Sequence, residues 1–404
     1  MGCRILKSPA PADRQPILTS TRNLKMAESA HAYVRGSTAK FYEWLEGSAR
    51  TTIPDGPSVW ICGDCHVGNI GPVAGMSGAV EMQIRDLDQT VIGNPAHDLV
   101  RLGLSLAMAA RSSDLPGVTT ARMIVRLVQG YEEAFATKAG DRPPAGSEMV
   151  KLALKRAAGR SWQHLADERI EGSEATIPLG KRFWPLAEEE RSALKTMFEQ
   201  EDVRALTVSL RSRDDEAEIR MIDAAFWRKG CSSLGRLRYA ALIELRSQKS
   251  KEVRHCLIDI KEAVAAAAPR DPNAQMPRDN AERVVEGGRN LSPHLGERML
   301  ATRLLDRAVF VRELLPQDLK LEINQLSQAE AMNVAEHLAQ IVGQAHARQM
   351  SATERKKWKD VLAGNRSKTL DAPNWLWSSI VDLVASHEAA YLEHCRRYAI
   401  SMAA

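Results

Sequence analysis

The sequence predicts an α+β protein that is mainly helical, with two small β patches. Three observations predict it. Long Ala- and Leu-rich stretches carry apolar residues at helical spacing. Short apolar runs bounded by turn residues cluster near 58–88 and again near 230–315. The two kinds of segment are grouped and do not alternate, which argues against repeated βαβ units.

The elements follow in order. Residues 1–24 contain Pro and Ser and read as a loose arm. Residues 26–48 form a helical pattern with Ala, Tyr, Val, Phe and Trp on one side, and TTIPDGP (51–57) is turn material. SVWICGD (58–64) and AVEMQIRDLD (79–88) read as strands, with GPVAGMSG (71–78) as the turn between them. Residues 96–137 are helical, broken at SSDLPG (112–117), and 137–147 is a loop. Residues 148–167 predict a helix and 172–180 a loop. Residues 186–201 predict an amphipathic helix with acids in its first turns. RSRDDEAEIR (211–220) alternates in sign and reads as a solvated helix face. RLRYAALIEL (236–245), VRHCLIDIKEA (253–263) and RAVFVREL (307–314) read as strands, with a loop over 265–280 and a helix from about 281. Residues 328–349 and 374–402 read as helices.

Composition narrows the function. With 404 residues, 44% hydrophobic and 26% charged, the chain is neither disordered nor collagen-like. The 55 basic and 51 acidic residues leave a net charge of only +4, which supports neither a nucleic-acid nor a membrane partner. No apolar run reaches the length of a membrane span. No export leader is seen, and the myristoylation pattern fails at Leu6. Six cysteines make no disulfide framework, so reduced thiols and a cytoplasmic location are expected.

The chemistry concentrates in ICGDCHVGNI (61–70), IRDLDQ (84–89) and GNPAHDLVRL (93–102). A hairpin would bring Asp64, Asn69 and Asp86 together, and two carboxylates with a carboxamide are hard oxygen ligands suited to Mg²⁺. Mg²⁺ held by few protein oxygens works with substrate phosphates, while a remaining carboxylate orients an acceptor hydroxyl. Downstream, GCSSLGRL (230–237) is a Gly-rich turn with Gly230, Ser232, Ser233 and Gly235, followed by two β runs that flank the polar turn RSQKSKE. The second run ends at Lys261, and the helix that follows offers Glu282 or Glu286 as its partner.

These residues resemble the kinase-like phosphotransferases of the aminoglycoside and choline kinase type, in the loop H-G-D-x-H-x-x-N, the strand I-D-W/F-D and the segment G-D-P-x-x-D-L-A. The matches are Gly63, Asp64, His66 and Asn69, then Asp86, then Gly93, Pro95, Asp98 and Leu99. Cys62 and Asn94 depart from the pattern. The resemblance implies that Asp64 is the catalytic carboxylate; His66 is counted with it in the catalytic set, where it is expected to buttress the loop by hydrogen bonds more than to act as acid or base. It makes Asn69 and Asp86 the metal ligands and Asp98 a support of the loop. The order is rotated, because the Gly-rich turn follows the catalytic loop, and joining the chain ends restores the usual order. Taken together, KMAESAHAYVRG (25–36), the segments above, ERVVEGGR (282–289), FVREL (310–314) and QAHARQ (344–349) resemble the bacterial family called domain of unknown function 2252.

The resemblance implies a two-lobed, circularly permuted, protein-kinase-like fold. Residues 216–325 would form a β-rich nucleotide lobe, with 1–215 and 326–404 building the helical lobe. It implies ATP and Mg²⁺ as cofactors and transfer of a phosphoryl group to an unidentified hydroxyl acceptor, with a small molecule preferred. A nucleotide-binding pseudokinase and a nucleotidyl transferase are the alternatives. Cys62-Gly-Asp-Cys65-His66 also matches the c-type haem pattern and half of a zinc or redox site. The missing leader disfavours haem, and the missing second ligand pair disfavours zinc. Arg35 is expected in a helix-end salt bridge or in a phosphate pocket, and Arg312 against solvent or an acid.

Overall fold

The computed structural model describes residues 9–49, 52–136, 148–160, 176–230, 234–319, 327–364, 366 and 370–398. The chain is α+β, as the sequence predicts, and the strands are all antiparallel. Helices α1 (Arg14–Ala27), α2 (Ala30–Gly36) and α3 (Thr38–Trp44) open it. Strands β1 (Val59–Ile61), β2 (Ile70–Ala74), β3 (Val80–Ile84) and β4 (Val91–Gly93) follow as two small pairs, β1 with β4 and β2 with β3. Next come α4 (Ala96–Ser112), α5 (Gly117–Glu133) and α6 (Glu148–Ala158).

The main sheet has six strands. They are β5 (Phe183–Trp184), β6 (Glu218–Trp227), β7 (Arg238–Arg246), β8 (Val253–Glu262), β9 (Met299–Leu304) and β10 (Arg307–Leu314). Their spatial order is β5-β6-β7-β8-β10-β9. Helices α7 (Glu188–Glu199) and α8 (Glu201–Val208) precede β6, and α9 (Asn280–Leu291) lies between β8 and β9. The chain ends with α10 (Gln328–Ala347), α11 (Ala352–Ala363) and α12 (Asn374–Tyr398).

Alternation along β8 assigns the two faces of this sheet. Cys256, Ile258 and Ile260 point into a core shared with Leu18 of α1, with Leu194, Met197 and Phe198 of α7 and with Val203 of α8. Leu257 packs on the other face, and Asp259 and Lys261 share that face with it. The helical core is separate, built on α4, α5, α10 and the start of α12 around the first hairpins.

Several expectations are corrected. The arm over 1–24 contains α1, because Arg14 forks onto Glu190 at 2.6 and 3.0 Å and Leu18 is buried on the sheet. The segment 211–220 is no helix face, since β6 begins at Glu218 and pairs with β7. Half of the expected turn over 71–78 belongs to β2, leaving Gly75–Gly78 as the turn. Strand β9 pairs with β10 and falls where only a helix was expected. Residues 183–208, expected with the helical part of 1–215, pack on the sheet instead, as does Leu18 of α1, while the end of α1 at Asn23 and Ala27 is bonded by His394 and Tyr391 of α12. The loop 137–147 and the helix expected beyond residue 160 lie outside the described residues. Among the described residues, no helix is long and apolar enough to cross a membrane.

Candidate functional site

The loop after β1 is held from below by Asp98. This fully buried carboxylate accepts the backbone N–H of Cys62 at 2.7 Å and of Gly63 at 3.0 Å. It also accepts Nε2–H of His346 at 3.1 Å. An ionised carboxylate can only accept, so the Nε2 that faces Asp98 carries a proton. The other ring nitrogen, Nδ1, lies 2.8 Å from the Tyr131 hydroxyl, which accepts the Trp358 indole N–H. Gly63 has φ +73°, and a Cβ there would stand 2.1 Å from the Gln89 carbonyl oxygen, so only glycine fits this bend.

The bend presents Asp64. Its Oδ1 accepts from Nε and Nη2 of Arg101 at 3.0 and 2.8 Å, while Oδ2 lies 4.0 Å from Nε2 of His66. Burial pushes the Asp64 carboxyl above its ordinary range, and Arg101 opposes that shift in part. His66 is held well below its ordinary range by burial, then by the charges of Arg35 and Arg101. It is therefore a neutral imidazole near pH 7. Asn69 donates its amide to the backbone carbonyl of Asp64 at 2.9 Å, which leaves its side-chain oxygen outside that bond.

The β2–β3 hairpin then carries the chain to Asp86. Ile70 pairs with Ile84, and Arg85 N–H donates to the Asn69 carbonyl at 2.7 Å, so Asn69 and Asp86 emerge at one end of the hairpin. Lys261 reaches this end from the main sheet. Its ammonium sits 3.4 Å from Asp86 and in close contact with Asp88. Burial raises the Asp86 carboxyl, but Lys261 and Arg312 reverse this and hold it well below the carboxylate range. Asp88 shifts the opposite way, raised by burial and by Asp86.

Behind Lys261, Asp259 accepts Arg238 at 2.8 and 2.6 Å and Arg312 at 3.2 Å. Arg312 therefore faces an acid. Glu262 ties down the base of the Gly-rich turn by accepting Leu237 N–H at 2.8 Å. Gly230 and Gly235 both take positive φ, +94° and +101°, as a tight turn requires. Arg236, beside the turn, lies 3.9 Å from Asp88.

The structure thus brings together Asp64, His66, Asn69, Asp86 and Lys261. Ser232 and Ser233 lie outside the described residues. Glu282 and Glu286 do not pair with Lys261. The inward face of α9 carries Arg283, which donates to the carbonyls of Asp88 and Val264 at 3.1 and 2.8 Å. Gly287 on the same face rests against Thr90. Residues one position back are turned about 100° away. Glu282 is therefore exposed, and Glu286 bonds Arg289 and Asn290 at 3.3 Å.

Sequence reasoning missed Asp88 as the second partner of Lys261, although the resembled strand motif carries a second acid at that place. It also missed Arg101, for which no local pattern exists. Cys62 and Cys65 are fully buried, and burial helps to raise both thiols above the ordinary range. Among the described residues no three His, Cys, Asp or Glu side chains converge as a metal site.

The family model described as "Uncharacterized protein conserved in bacteria", domain of unknown function 2252, matches residues 14–397. No curated protein and no solved structure matches the chain.

Proposed function

This chain belongs to the uncharacterized bacterial family of domain of unknown function 2252, and from its own site we propose an ATP- and Mg²⁺-dependent phosphotransferase of circularly permuted, kinase-like fold. One observation carries it: Lys261, at the end of β8, meets Asp86, 175 residues earlier in the chain, beside the loop of Asp64. Protein kinases place a Gly-rich turn before a strand lysine, and an Asn and an Asp that hold metal near the catalytic Asp. Here the turn joins β6 to β7, and β8 supplies the lysine.

The acids fit a divalent cation. Asp86 keeps 41% of its side-chain exposure, and Oδ1 of its buried neighbour Asp88 has no hydrogen-bond partner. Asn69 and Asp86 would hold Mg²⁺, which when bound neutralises phosphate charge. Lys261 and the turn over Gly230–Gly235, including Ser232 and Ser233, would clamp the phosphates. Asp64 would orient the acceptor hydroxyl through Oδ2, because Arg101 occupies Oδ1. Catalysis of this kind rests on positioning and charge, with no covalent intermediate on the protein.

Thermal unfolding tests the proposal. Saturating ATP with Mg²⁺, at about 100 times its dissociation constant, stabilises by roughly 2.7 kcal/mol. Wild type should show a Mg²⁺-dependent shift that Asp86→Ala loses. Asp64→Ala should keep the shift and lose transfer, with product mass separating phosphoryl from nucleotidyl transfer. No shift with any nucleotide would sink the proposal. A shift without turnover would leave the regulatory reading.

A further inference from the structure

A group of polar atoms around Asp64 has no partner. Arg35 and His31 lie one turn apart on α2, so they share a face. Among the described residues Arg35 makes no ion pair, contrary to the helix-end salt bridge expected of it. Its Nε is buried with no hydrogen-bond partner, as is Nδ1 of His31. Gly68 shows where the guanidinium lies. A methyl added there would stand 3.3 Å from Nε of Arg35, 3.2 Å from Cε1 of His66 and 3.3 Å from Nδ1 of His66. Arg35 therefore stands beside His66, over the loop that carries Asp64.

Two members of the group are more than nine-tenths buried. His66 is 5% exposed, and its Nδ1 has no partner. Arg101 is 0% exposed, and its Nη1 has none, although Nε and Nη2 are occupied by Asp64 and by the Val34 carbonyl. Arg101 is paired with Asp64, whereas Arg35, whose charge acts on His66 alongside that of Asp86, has no ion pair of its own among the described residues.

Buried donors left unpaired are destabilising, and folded proteins satisfy nearly all of them. Guanidinium forks match the oxygens of phosphate and carboxylate. The group is built from α2, α4 and the loop at 66–68. Lys261 meets the end of the hairpin from the sheet, so it and this group belong to different elements.

We propose that Arg35, His66 and Nη1 of Arg101 form an oxyanion subsite for the acceptor. Resting on the phosphotransferase reading, this makes the acceptor a small hydroxyl compound that carries a phosphate or carboxylate. The anion lies on Arg35, and the hydroxyl points at Oδ2 of Asp64.

The test titrates the full chain with inorganic phosphate, and separately with acetate, by calorimetry. Each titration is run with and without a saturating non-hydrolysable ATP analogue and Mg²⁺. One phosphate or acetate should bind wild type even with nucleotide present, and the anion that binds identifies the acceptor's charged group. Arg35→Gln should weaken that binding at least tenfold, and Arg35→Lys should restore part of it. Arg35→Gln should keep the Mg²⁺-nucleotide thermal shift, which also shows that it folds. Anion binding that survives Arg35→Gln, or that nucleotide abolishes, overturns the proposal, as does a folded wild type that binds neither anion. Loss of the nucleotide shift in wild type would instead strike the phosphotransferase reading, whatever the anions do.

Discussion

Asp98→Asn isolates the support of the loop that carries Asp64, because it keeps the shape and removes the charge. The least costly orientation puts the new NH₂ in place of Oδ1, since Oδ2 serves both Cys62 and His346. The Gly63 N–H then loses its acceptor, which lay at 3.0 Å. A hydrogen bond to a charged group contributes about 1.5–3 kcal/mol, a figure that already includes leaving its buried partner unsatisfied. The expected loss is therefore about 1.5–3 kcal/mol. Unfolding entropy near 2.1 cal/mol/K per residue, over 404 residues, turns about 2.5 kcal/mol into a midpoint drop of about 3 °C. Ser105→Ala supplies the comparison. It removes one neutral bond, from Val67 N–H at 3.2 Å, so about 1 kcal/mol and about 1 °C are expected. Thermal unfolding followed by circular dichroism reads both. If Asp98→Asn falls no further than Ser105→Ala, the charged carboxylate is not what holds this loop.

Two further outcomes follow from the same geometry. Gly63→Ala places a methyl against the Gln89 carbonyl at positive φ, so a loss of about 2–5 kcal/mol is expected in urea unfolding; an unchanged urea midpoint would contradict the bend. Acid should weaken the fold below pH 6.5, because burial lowers His97 from 6.5 to about 4, with Asp98 opposing in part. The unfolded chain then binds a proton the folded chain refuses, so this contribution is complete above pH 6.5 and is lost as pH falls toward 4. The loss is about 3 kcal/mol from His97 alone. His387, lowered to about 3, adds to it, and a urea midpoint constant from pH 7 to 4.5 would refute the sign.

The parts of this fold that were legible are those whose signals are local. The spacing of Asp64, Asn69 and Asp86 around a hairpin sits within 23 residues of sequence, and the helical periods of α5, α7 and α10 are self-contained. Strand β6 was hidden because its first half is charged and partly exposed, so it reads like a solvated helix. Helix α1 was hidden because its anchor, Glu190, is 176 residues away. The partner of Lys261 was misread for a rotational reason. The sequence places acids on α9, but which face turns inward is decided by Arg283 reaching three carbonyls, a tertiary fact. The acids of the next strand motif took the role instead.

The two acids at the centre are set apart by their surroundings, and under the proposed phosphotransferase reading that separation would divide their work. Asp86 faces Lys261 and Arg312, which keep it ionised across the whole working range of pH. A carboxylate of that kind suits a cation and has little affinity for a proton. Asp64 is buried with Arg101 on one oxygen only, and its carboxyl is raised. It keeps more affinity for a proton, which would suit an oxygen that receives a hydroxyl's hydrogen in the proposed reaction. Paired carboxyls whose environments push them in opposite directions are how one site divides electrostatic and acid–base roles. The same logic accounts for Arg101. It opposes the rise that burial imposes on Asp64, and it does so through Oδ1, leaving Oδ2, 4.0 Å from Nε2 of His66, as the oxygen proposed to face the acceptor.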